Sequence, residues 1–423
     1  MANVEMPRDE NVDDTFALLR EGYQFIKNRA DRLETDVFET RLLGQKAICL
    51  SGEKAARLFY DPDLIQRKGA VPKPVQKTLF GEKAIQSLDG DAHLHRKKLF
   101  LSLMVPSEQE RLAKMTFEQW RARLSDWASA ETIVLLEEAK RVLCEASCKW
   151  AGVPLEDGET EQRAEDFYAM VDAFGGIGPR HWKGRNARKR TEQWLEQMIN
   201  EVREGKRKVT EGCALYEWTY FKDVEGKWLD AHMAAVELIN VIRPTVAIAN
   251  YLTFCVLALH EHPESVASLR TGEEAHLDRF VQEVRRYYPF APFLGARVKK
   301  DFQWKGYAFK KGTLVLLDVY GTNRDPHLWE EPNEFRPERF SEWGVGLFEF
   351  IPQGGGDRSK THRCPGEGIT VEVMKASVDF LVNEIEYEVP EQDLSYSLQR
   401  IPSLPKSGVV MKNVSRKLIP ANK

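Results

Sequence analysis

The chain has 423 residues, 42% of them hydrophobic and 30% charged, a composition typical of a globular protein that buries a sizeable core. Its formal net charge of -4 gives no indication of nucleic-acid or acidic-membrane binding. Neither a Ser/Gly-rich linker nor an internal repeat divides the sequence, so we predict a single domain over residues 1–423.

The N-terminus and the cysteines indicate the compartment. The stretch "MANVEMPRDENVDDTF" is acidic and polar and lacks the basic and apolar regions of a secretory signal. The six cysteines have no paired spacing, which argues against a disulfide framework or a zinc site. We therefore predict a cytoplasmic protein.

Helical periodicity dominates the chain up to about residue 290. Apolar positions recur at i, i+3 and i+4 within residues 117–128, 135–153 and 190–205. Strand-like stretches are short: residues 46–50, residues 302–319 with a turn at Gly306, and pieces near 386–411. The predicted fold class is mainly α with small β-sheets.

One long apolar helix is predicted to begin after Asp230 and to end near His260. Its centre, "NVIRPTVA", contains Arg243 and Pro244. An interior proline costs about 3 kcal/mol or more, because it removes a backbone hydrogen bond and clashes with the preceding turn. We expect Pro244 to deprive the Asn240 carbonyl of its partner and to kink the helix or open a groove there.

The same helix contains the only candidate membrane span, residues 241–260. Arg243, Pro244 and Asn250 interrupt it, so we expect no transmembrane segment. A buried, unpaired charge costs several kcal/mol, so Arg243 needs a partner. That partner is either an internal acid or carbonyl near the kink, or a bound ligand.

Cys364 lies in "FIPQGGGDRSKTHRCPGEGITVEVMKASVDFLV", between a glycine-rich loop and an amphipathic helix. The dipole of a helix N-terminus favours a thiolate, which acts as a nucleophile or a metal ligand. The alternative is a free cysteine beside a glycine-rich turn.

Three further charged residues stand in a fixed order before this loop. Glu283 and Arg286 form an E-x-x-R pair on a helix that ends at Pro289. The predicted hairpin follows, then "FRPERF" with Arg339, then the glycine-rich loop and Cys364. The E-x-x-R spacing alone is common in this chain; the order of the elements carries the specificity.

That ordered set resembles the cytochrome P450 superfamily over nearly the whole chain. The resemblance implies haem b (iron protoporphyrin IX) between a long distal helix and a proximal cysteine loop. It implies Cys364 as the axial iron ligand, and Glu283, Arg286 and Arg339 as a structural network beneath the haem. Thiolate ligation pushes electron density toward the iron and favours O–O cleavage.

The resemblance also implies contacts to the haem propionates. His93 in "DGDAHLHRKKLF" matches a propionate-binding histidine, and Lys97 stands where many members have arginine. Arg67, Arg297 and His362 are further candidates. For His93 and Lys97 the alternative is a solvated basic helix face.

Two departures from the superfamily pattern concern the cysteine loop. Phe350 precedes Cys364 by fourteen residues, where seven are usual, and Pro365 replaces the common aliphatic residue. The resemblance still implies thiolate ligation. The altered proximal face leaves docking of an electron donor in question, so a redox partner is not expected to be required.

Four stretches narrow the resemblance to the bacterial fatty-acid peroxygenase branch: "LFGEKAIQSLDG", "INVIRPTVAI", "YYPFAPFLGA" and the cysteine loop. Members use hydrogen peroxide to hydroxylate long-chain fatty acids at the alpha or beta carbon. Arg243 and Pro244 replace the acid and threonine of oxygen-activating members. By resemblance, the pair Arg243 and Pro244 binds the fatty-acid carboxylate, which becomes the acid-base of catalysis. A guanidinium fork matches a carboxylate and keeps it ionised.

Gln86 and several candidate pocket residues influence which products are expected. Gln86 matches a position where some members have histidine and form more terminal alkene; glutamine cannot donate a proton of matched pKa. We therefore expect mainly 3-hydroxy acid, some 2-hydroxy acid and minor decarboxylation. Side chains that are either tunnel walls or ordinary core are Phe80, Val171, Phe290 and Phe293.

Three rival functions remain open on the sequence. A monooxygenase that depends on a redox partner should carry the acid–threonine pair, which is absent. A rearranging enzyme of the allene-oxide synthase kind should turn over a fatty-acid hydroperoxide without free peroxide. A non-catalytic haem-thiolate sensor should bind haem without peroxide-dependent turnover.

Overall fold

Helices make up most of the regular structure in the computed structural model, which describes residues 5–341, 344 and 346–417. The α-helices are α1 (Thr15–Glu21), α2 (Phe25–Arg32), α3 (Glu53–Phe59), α4 (Lys73–Val75), α5 (Gly90–Leu103), α6 (Pro106–Ala122), α7 (Leu124–Trp127), α8 (Leu135–Ala151), α9 (Thr160–Asp172), α10 (Pro179–Arg203), α11 (Ala214–Thr219), α12 (Ala231–Val246), α13 (Ile248–Glu261), α14 (Glu264–Leu269), α15 (Glu274–Tyr287), α16 (Val319–Thr322) and α17 (Glu367–Asp379). Short 3-10 helices lie at Gly22–Gln24, Ile85–Ser87 and Pro337–Phe340, and π-helical turns at Gln76–Phe80 and Phe380–Glu384. The predicted mainly helical fold class is confirmed.

The strands are short. They are β1 (Val37–Leu42), β2 (Gln45–Leu50), β3 (Ile65–Gln66), β4 (Thr132–Val134), β5 (Phe293–Val298), β6 (Phe302–Trp304), β7 (Tyr307–Phe309), β8 (Leu314–Asp318), β9 (Ile385–Glu388) and β10 (Val410–Arg416). They form a five-stranded sheet in the order β1-β2-β8-β5-β3, a three-stranded sheet β4-β10-β9 and the hairpin β6-β7. Gly306 takes a positive φ of 83° between β6 and β7, so the expected turn is confirmed.

The first predicted strand corresponds to β2, and its apolar run follows from its central position in the large sheet. β2 lies between β1 and β8 and pairs with β8 in parallel. A strand covered on both faces reads as a continuous apolar run rather than an alternation. Accordingly, Ala47, Ile48, Cys49 and Leu50 are all fully buried.

The long predicted helix is present as α12 followed by α13. Asp230 caps its start, because its carboxylate accepts a hydrogen bond from the Met233 amide at 2.8 Å. α12 ends at Val246, and the helix resumes at Ile248 after a one-residue break at Ala247. The expected defect near Pro244 is therefore a break three residues beyond it.

Residues 231–261 are together long and apolar enough to cross a membrane by length and composition, but 94% of their most apolar window is buried inside the fold. α12 packs on α10 and α8, and α13 packs on α8 and α17. The helix therefore buries its apolar surface in the protein core and holds Arg243 in its interior.

Among the described residues, buried apolar side chains form three clusters. The largest surrounds α12 and α13. The second packs α3 against the large sheet, and the third packs α2 against it. The single-domain organisation over residues 1–423 stays a prediction.

Candidate active site

Cys364 ends a loop that the glycines shape. Gly354 takes a φ of 97°, and a Cβ there would come within 2.6 Å of the Tyr60 hydroxyl, so only glycine fits. The Cys364 amide donates to the Gln353 carbonyl oxygen at 3.0 Å. α17 begins three residues later, at Glu367, and the Cys364 side chain is partly exposed. The sulfur thus lies near a helix N-terminus, whose dipole favours a thiolate, whereas burial raises the pKa of the Cys364 thiol.

Two histidines and a lysine meet beside the loop. The rings of His93 and His362 stack with their centroids 3.8 Å apart. Nζ of Lys97 donates to the carbonyl oxygens of Thr361 and Arg363, the latter at 2.6 Å. Burial lowers the pKa of His93 to about 3 and the pKa of Lys97 to about 8. Both side chains are buried, so the solvated-face alternative does not describe them.

Arg67 joins this group through Asp89. The Arg67 amide donates to Oδ1 of Asp89 at 2.8 Å, and Nε2 of His362 lies 3.6 Å from the same oxygen. The Arg67 guanidinium lies over the Phe59 ring and donates from Nη1 to the Gly295 carbonyl oxygen at 2.6 Å. Burial lowers the pKa of Arg67.

Arg297, the remaining candidate for the propionates, is engaged elsewhere. Its Nε donates to the Gly69 carbonyl oxygen at 2.6 Å and its Nη1 to that of Gly312 at 2.8 Å. The structure therefore brings together four of the five expected residues and leaves Arg297 on loop carbonyls.

The chemistry of this donor set fits a haem. Two cations, Arg67 and Lys97, and two imidazoles that can donate hydrogen bonds, His93 and His362, converge near the loop that ends at Cys364. A group with carboxylates at its edge would supply the anions that they pair with. A soft thiolate at its centre is a ligand that iron accepts.

The Arg243 guanidinium is buried and has few hydrogen-bond partners among the described residues. The residue is 6% exposed, its Nη2 lies 3.3 Å from Oδ1 of Asn240, and its buried Nε has no partner among the described residues. Burial, then the nearby Arg188, lowers the pKa of Arg243 to about 9, so the group is charged at pH 7. A negative charge on the Cys364 sulfur opposes that shift. Within residues 5–341, 344 and 346–417 no acid pairs with Arg243, whose Nη2 donates to the neutral amide oxygen of Asn240.

Asn240 orients Arg243. A guanidinium only donates hydrogen bonds, so the Asn240 amide must present its oxygen to Arg243. Its Nδ2 then donates to the Phe80 carbonyl oxygen at 2.9 Å and to Oε2 of Glu237 at 3.2 Å. One side chain thus connects Arg243 with the loop that carries Phe80.

Glu237 holds the other end of that loop. Its fully buried carboxylate accepts hydrogen bonds from the Ile85 amide and from Nη1 of Arg96, each at 2.8 Å. Gln86 follows Ile85, and its buried Oε1 has no partner in the part of the chain that the structure describes. Glu237 and Asn240 therefore join the segments of Gln86 and Arg243, and each of these two side chains has a buried polar atom without a hydrogen-bond partner among the described residues.

Arg188 completes the support of this loop. Its Nη1 donates to the Leu79 carbonyl oxygen at 2.8 Å and its Nη2 to that of Phe80 at 3.2 Å. Gly81 has a φ of 91°, and a Cβ there would lie 2.4 Å from Cγ1 of Val236. The close approach to α12 requires glycine at this position.

The expected pocket walls come from four elements. Phe80, Phe290 and Phe293 are partly buried, whereas Val171 in α9 is buried. Phe290 stacks on Tyr251 of α13 with ring centroids 4.4 Å apart. Phe80 is connected to Arg243 by hydrogen bonds through Asn240. The wall role of the four side chains stays a prediction.

The E-x-x-R pair and Arg339 meet as expected. Nε and Nη2 of Arg286 each lie 2.7 Å from the Glu283 carboxylate, and Nε of Arg339 lies 3.2 Å from it. Glu283 also accepts from the Arg336 amide at 2.7 Å, and it is fully buried. The network ties α15 to the segment before the cysteine loop.

Sequence reasoning missed several residues of the site. Asn240 precedes Arg243 by one helical turn, and Glu237 is an isolated acid in an apolar run; both signals could have been used. Arg188 gave no such signal, because its partners lie more than one hundred residues away in the chain.

Comparison with known proteins assigns the family. The family model for cytochrome P450 matches residues 275–418. Among curated proteins, abscisic acid 8'-hydroxylase CYP707A1 of Solanum lycopersicum is 24% identical in an alignment 394 residues long, which covers 86% of this chain and 81% of that protein. The match to (+)-menthofuran synthase of Mentha piperita, 37% identical over 119 residues, spans 27% of this chain and 23% of that protein.

Solved structures match over nearly the full length. Cytochrome P450EX alpha (CYP152N1) with myristic acid is 44% identical with a TM-score of 0.95, covering 98% of this chain and 100% of that one. Ligand-free cytochrome P450 OleT is 39% identical with a TM-score of 0.96, covering 98% and 100%.

A partly exposed thiol on a glycine-rich loop, beside an arginine, a lysine and two histidines that can pair with carboxylates, defines the site of a haem-thiolate oxidoreductase. The chain belongs to the cytochrome P450 family. Its solved relatives place it in the fatty-acid peroxygenase branch, CYP152, so the resemblance predicted from the four sequence stretches is confirmed.

Proposed function

We propose that this protein uses hydrogen peroxide to hydroxylate long-chain fatty acids at the beta and alpha carbons, with minor decarboxylation to terminal alkenes. Two observations on relatives support the substrate class: one solved relative was determined with myristic acid and another with arachidonic acid. No redox partner is required under this proposal.

The buried guanidinium of Arg243 carries the proposal. Keeping a charge buried without a counter-charge costs several kcal/mol, and a ligand carboxylate offsets that cost. Among the described residues, the Nε of Arg243 has no partner, and its Nη2 donates to a neutral amide oxygen. A carboxylate that binds the fork in two places satisfies these donors and keeps its own charge.

Haem b fits the remaining residues. Cys364 would ligate its iron, and Arg67, His93, Lys97 and His362 would hold its propionates. The bound haem would supply the oxidising chemistry, with hydrogen peroxide as the co-substrate. We do not extend the propionate role to Arg297, since its guanidinium is occupied by Gly69 and Gly312.

Neither Arg243 nor Pro244 supplies an acid or an alcohol at the centre of α12. Pro244 has neither a hydroxyl nor a backbone N–H, and Arg243 only donates. The substrate carboxylate held by Arg243 therefore takes the proton from one peroxide oxygen and returns it to the other. The same anchor keeps C2 and C3 nearest the reacting centre, while the rest of the chain extends along apolar walls such as Phe80.

Gln86 shapes the product. An amide has no titratable proton near neutral pH, so it orients the head group by hydrogen bonding without donating a proton to it. Only its NH2 group can donate to the carboxylate, because its buried Oε1, like a carboxylate oxygen, accepts hydrogen bonds. Hydroxylation is then expected to exceed decarboxylation.

The test uses purified, haem-loaded protein with myristic acid and hydrogen peroxide and no reductase. Products are analysed as 2-hydroxy acid, 3-hydroxy acid and alkene. The Arg243→Ala variant should weaken fatty-acid binding about 100-fold, which corresponds to roughly 3 kcal/mol for two charge-assisted hydrogen bonds, and should lose the products.

Arg207→Ala is the matched control, because it removes an arginine whose ion pair with Glu201 lies at the surface. It should retain binding and turnover. Undiminished head-group oxidation by Arg243→Ala, or turnover by the wild type only with a reductase, would contradict the proposed function.

A further inference from the structure

The side-chain amide of Gln353 lies between a guanidinium and the sulfur of Cys364. Nη2 of Arg285 donates to Oε1 of Gln353 at 2.8 Å. On the other side, Nε2 of Gln353 lies 2.9 Å from Oγ1 of Thr370 and 4.0 Å from Sγ of Cys364. The backbone fixes the same approach, since the Cys364 amide donates to the Gln353 carbonyl oxygen at 3.0 Å.

The chemistry of Arg285 decides which way this amide faces. A guanidinium has only donors, so it must meet the amide oxygen, and the NH2 group must then turn toward Thr370 and Cys364. One N–H serves the Thr370 hydroxyl, and the second is left for the sulfur.

Arg285 itself is held firmly. It is 2% exposed, and its guanidinium also donates to Oε1 of Gln282 and pairs with the carboxylate of Glu367. Glu367 in turn accepts from Nε of Arg363 at 2.6 Å. The amide of Gln353 is therefore oriented by buried ion pairs and not by its own rotamer preference alone.

We propose that Gln353 is a positioning residue that directs an N–H at the Cys364 sulfur and so limits the electron density that the thiolate gives to the haem iron. The inference rests on the proposed ligation of iron by Cys364. Hydrogen bonds to a ligating sulfur are among the features that set the reduction potential of such centres, and partners beyond the direct ligands tune a metal.

The holoenzyme provides the test. We would measure the equilibrium reduction potential of the haem iron and the C–O stretching frequency of the ferrous carbon monoxide complex for wild type, Gln353→Leu and Gln353→Glu. Loss of the N–H should make the potential more negative and lower the C–O frequency, because more sulfur electron density reaches iron and carbon monoxide. Gln353→Glu should shift both further, since it keeps the acceptor for Arg285 but turns a carboxylate oxygen toward the sulfur.

Gln109→Leu is the matched control. It removes another buried amide, whose Nε2 donates to the Met104 carbonyl oxygen at 2.7 Å, and it should leave both readouts at their wild-type values. Wild-type values in both Gln353 variants, or an equal shift in Gln109→Leu, would overturn the inference. If Gln353→Leu fails to hold haem, Gln353→Glu still decides the question. If the wild-type carbon monoxide complex lacked the spectrum of a thiolate-ligated haem, the ligation of iron by Cys364 would be wrong. That outcome differs from Gln353 variants whose potential and C–O frequency do not shift.

Discussion

Nη2 of Arg243 lies 3.3 Å from Oδ1 of Asn240, one helical turn earlier on α12. The acceptor is a neutral amide oxygen, so it orients the guanidinium without cancelling its charge. Arg243 thus stays a cation for a ligand to neutralise, while the Nδ2 of Asn240 holds the Phe80 carbonyl. Asn240 thus supports both Arg243, the proposed anchor, and Phe80, a proposed pocket wall.

This contact predicts that two substitutions of Asn240 weaken fatty-acid binding to different extents. Asn240→Asp should pre-pair Arg243 with an internal carboxylate and weaken fatty-acid binding more than Asn240→Ala, which only removes the orienting contact. We expect a loss of about tenfold for Ala, the worth of one hydrogen bond to a charged group. Titration of the haem absorption spectrum with myristic acid measures both.

Asn250→Ala controls for loss of a buried amide in the same long helix, because Oδ1 of Asn250 accepts from the Tyr168 hydroxyl at 2.8 Å. Its fatty-acid affinity should stay near that of wild type. Equal affinities of Asn240→Asp and Asn240→Ala would show that Arg243 is not the anchor for the carboxylate.

The pH dependence of binding follows from the buried guanidinium. Because burial lowers the pKa of Arg243 to about 9, the free protein loses this charge as pH rises through 9, and a carboxylate then has no cation to pair with. The fatty-acid affinity should be level between pH 7 and 8 and fall toward tenfold per pH unit above 9. It should fall again below about pH 5, where the carboxylic acid becomes protonated. Level binding up to pH 10 would contradict the assignment.

Gly81 offers a test of the loop that bears Phe80. Gly81→Ala must adopt a φ of 91° and place its Cβ 2.4 Å from Val236 and 2.5 Å from Nη2 of Arg188. We expect a loss of unfolding free energy of about 2–4 kcal/mol, combining backbone strain and overpacking, together with weaker fatty-acid binding. Urea unfolding and ligand titration measure the two effects.

Gly158→Ala separates strain from crowding, because Gly158 has a φ of 82° but an added Cβ would meet no atom of the described residues within 4 Å. It should cost about 1 kcal/mol and leave binding intact. A Gly81→Ala protein as stable as Gly158→Ala would mean that the loop yields freely to the added methyl group.

Much of the site was predictable where local order carries the information. Cys364 follows a glycine-rich loop and precedes a helix, and the order of Glu283, Arg286 and Arg339 along the chain indicated the network that the structure forms. Chain order suffices there because each motif lies on its own short element.

The sequence alone could not distinguish the contacts of two side chains of the same type, because those contacts depend on how the folded chain packs around each one. Arg67 and Arg297 were equal candidates on the sequence. In the structure, the backbone amide of Arg67 donates to Asp89, whereas the Arg297 guanidinium donates to the carbonyl oxygens of Gly69 and Gly312. The partners of Arg188 lie on a distant loop. Backbone carbonyls leave no signature in the sequence, so contacts to them emerge only from the folded chain.

The buried ion pair of Glu237 and Arg96 allows a last prediction. Glu237→Leu should cost about 3–5 kcal/mol of unfolding free energy, because it leaves Arg96, whose side chain is 12% exposed, and the Ile85 amide without their acceptor. Glu237→Gln keeps an acceptor for Ile85 and should cost less.

Arg96→Leu combined with Glu237→Leu removes both charges, so the double variant should recover part of the stability lost by Glu237→Leu. Its ratio of 2-hydroxy to 3-hydroxy acid should nevertheless differ from wild type, since the Ile85 amide beside Gln86 still lacks the acceptor that fixes it relative to Asn240. Stability and product ratio would then separate: the ion pair stabilises the fold, and the hydrogen bond to Ile85 positions the loop. A double variant with restored stability and a wild-type product ratio would show that Glu237 serves the fold alone.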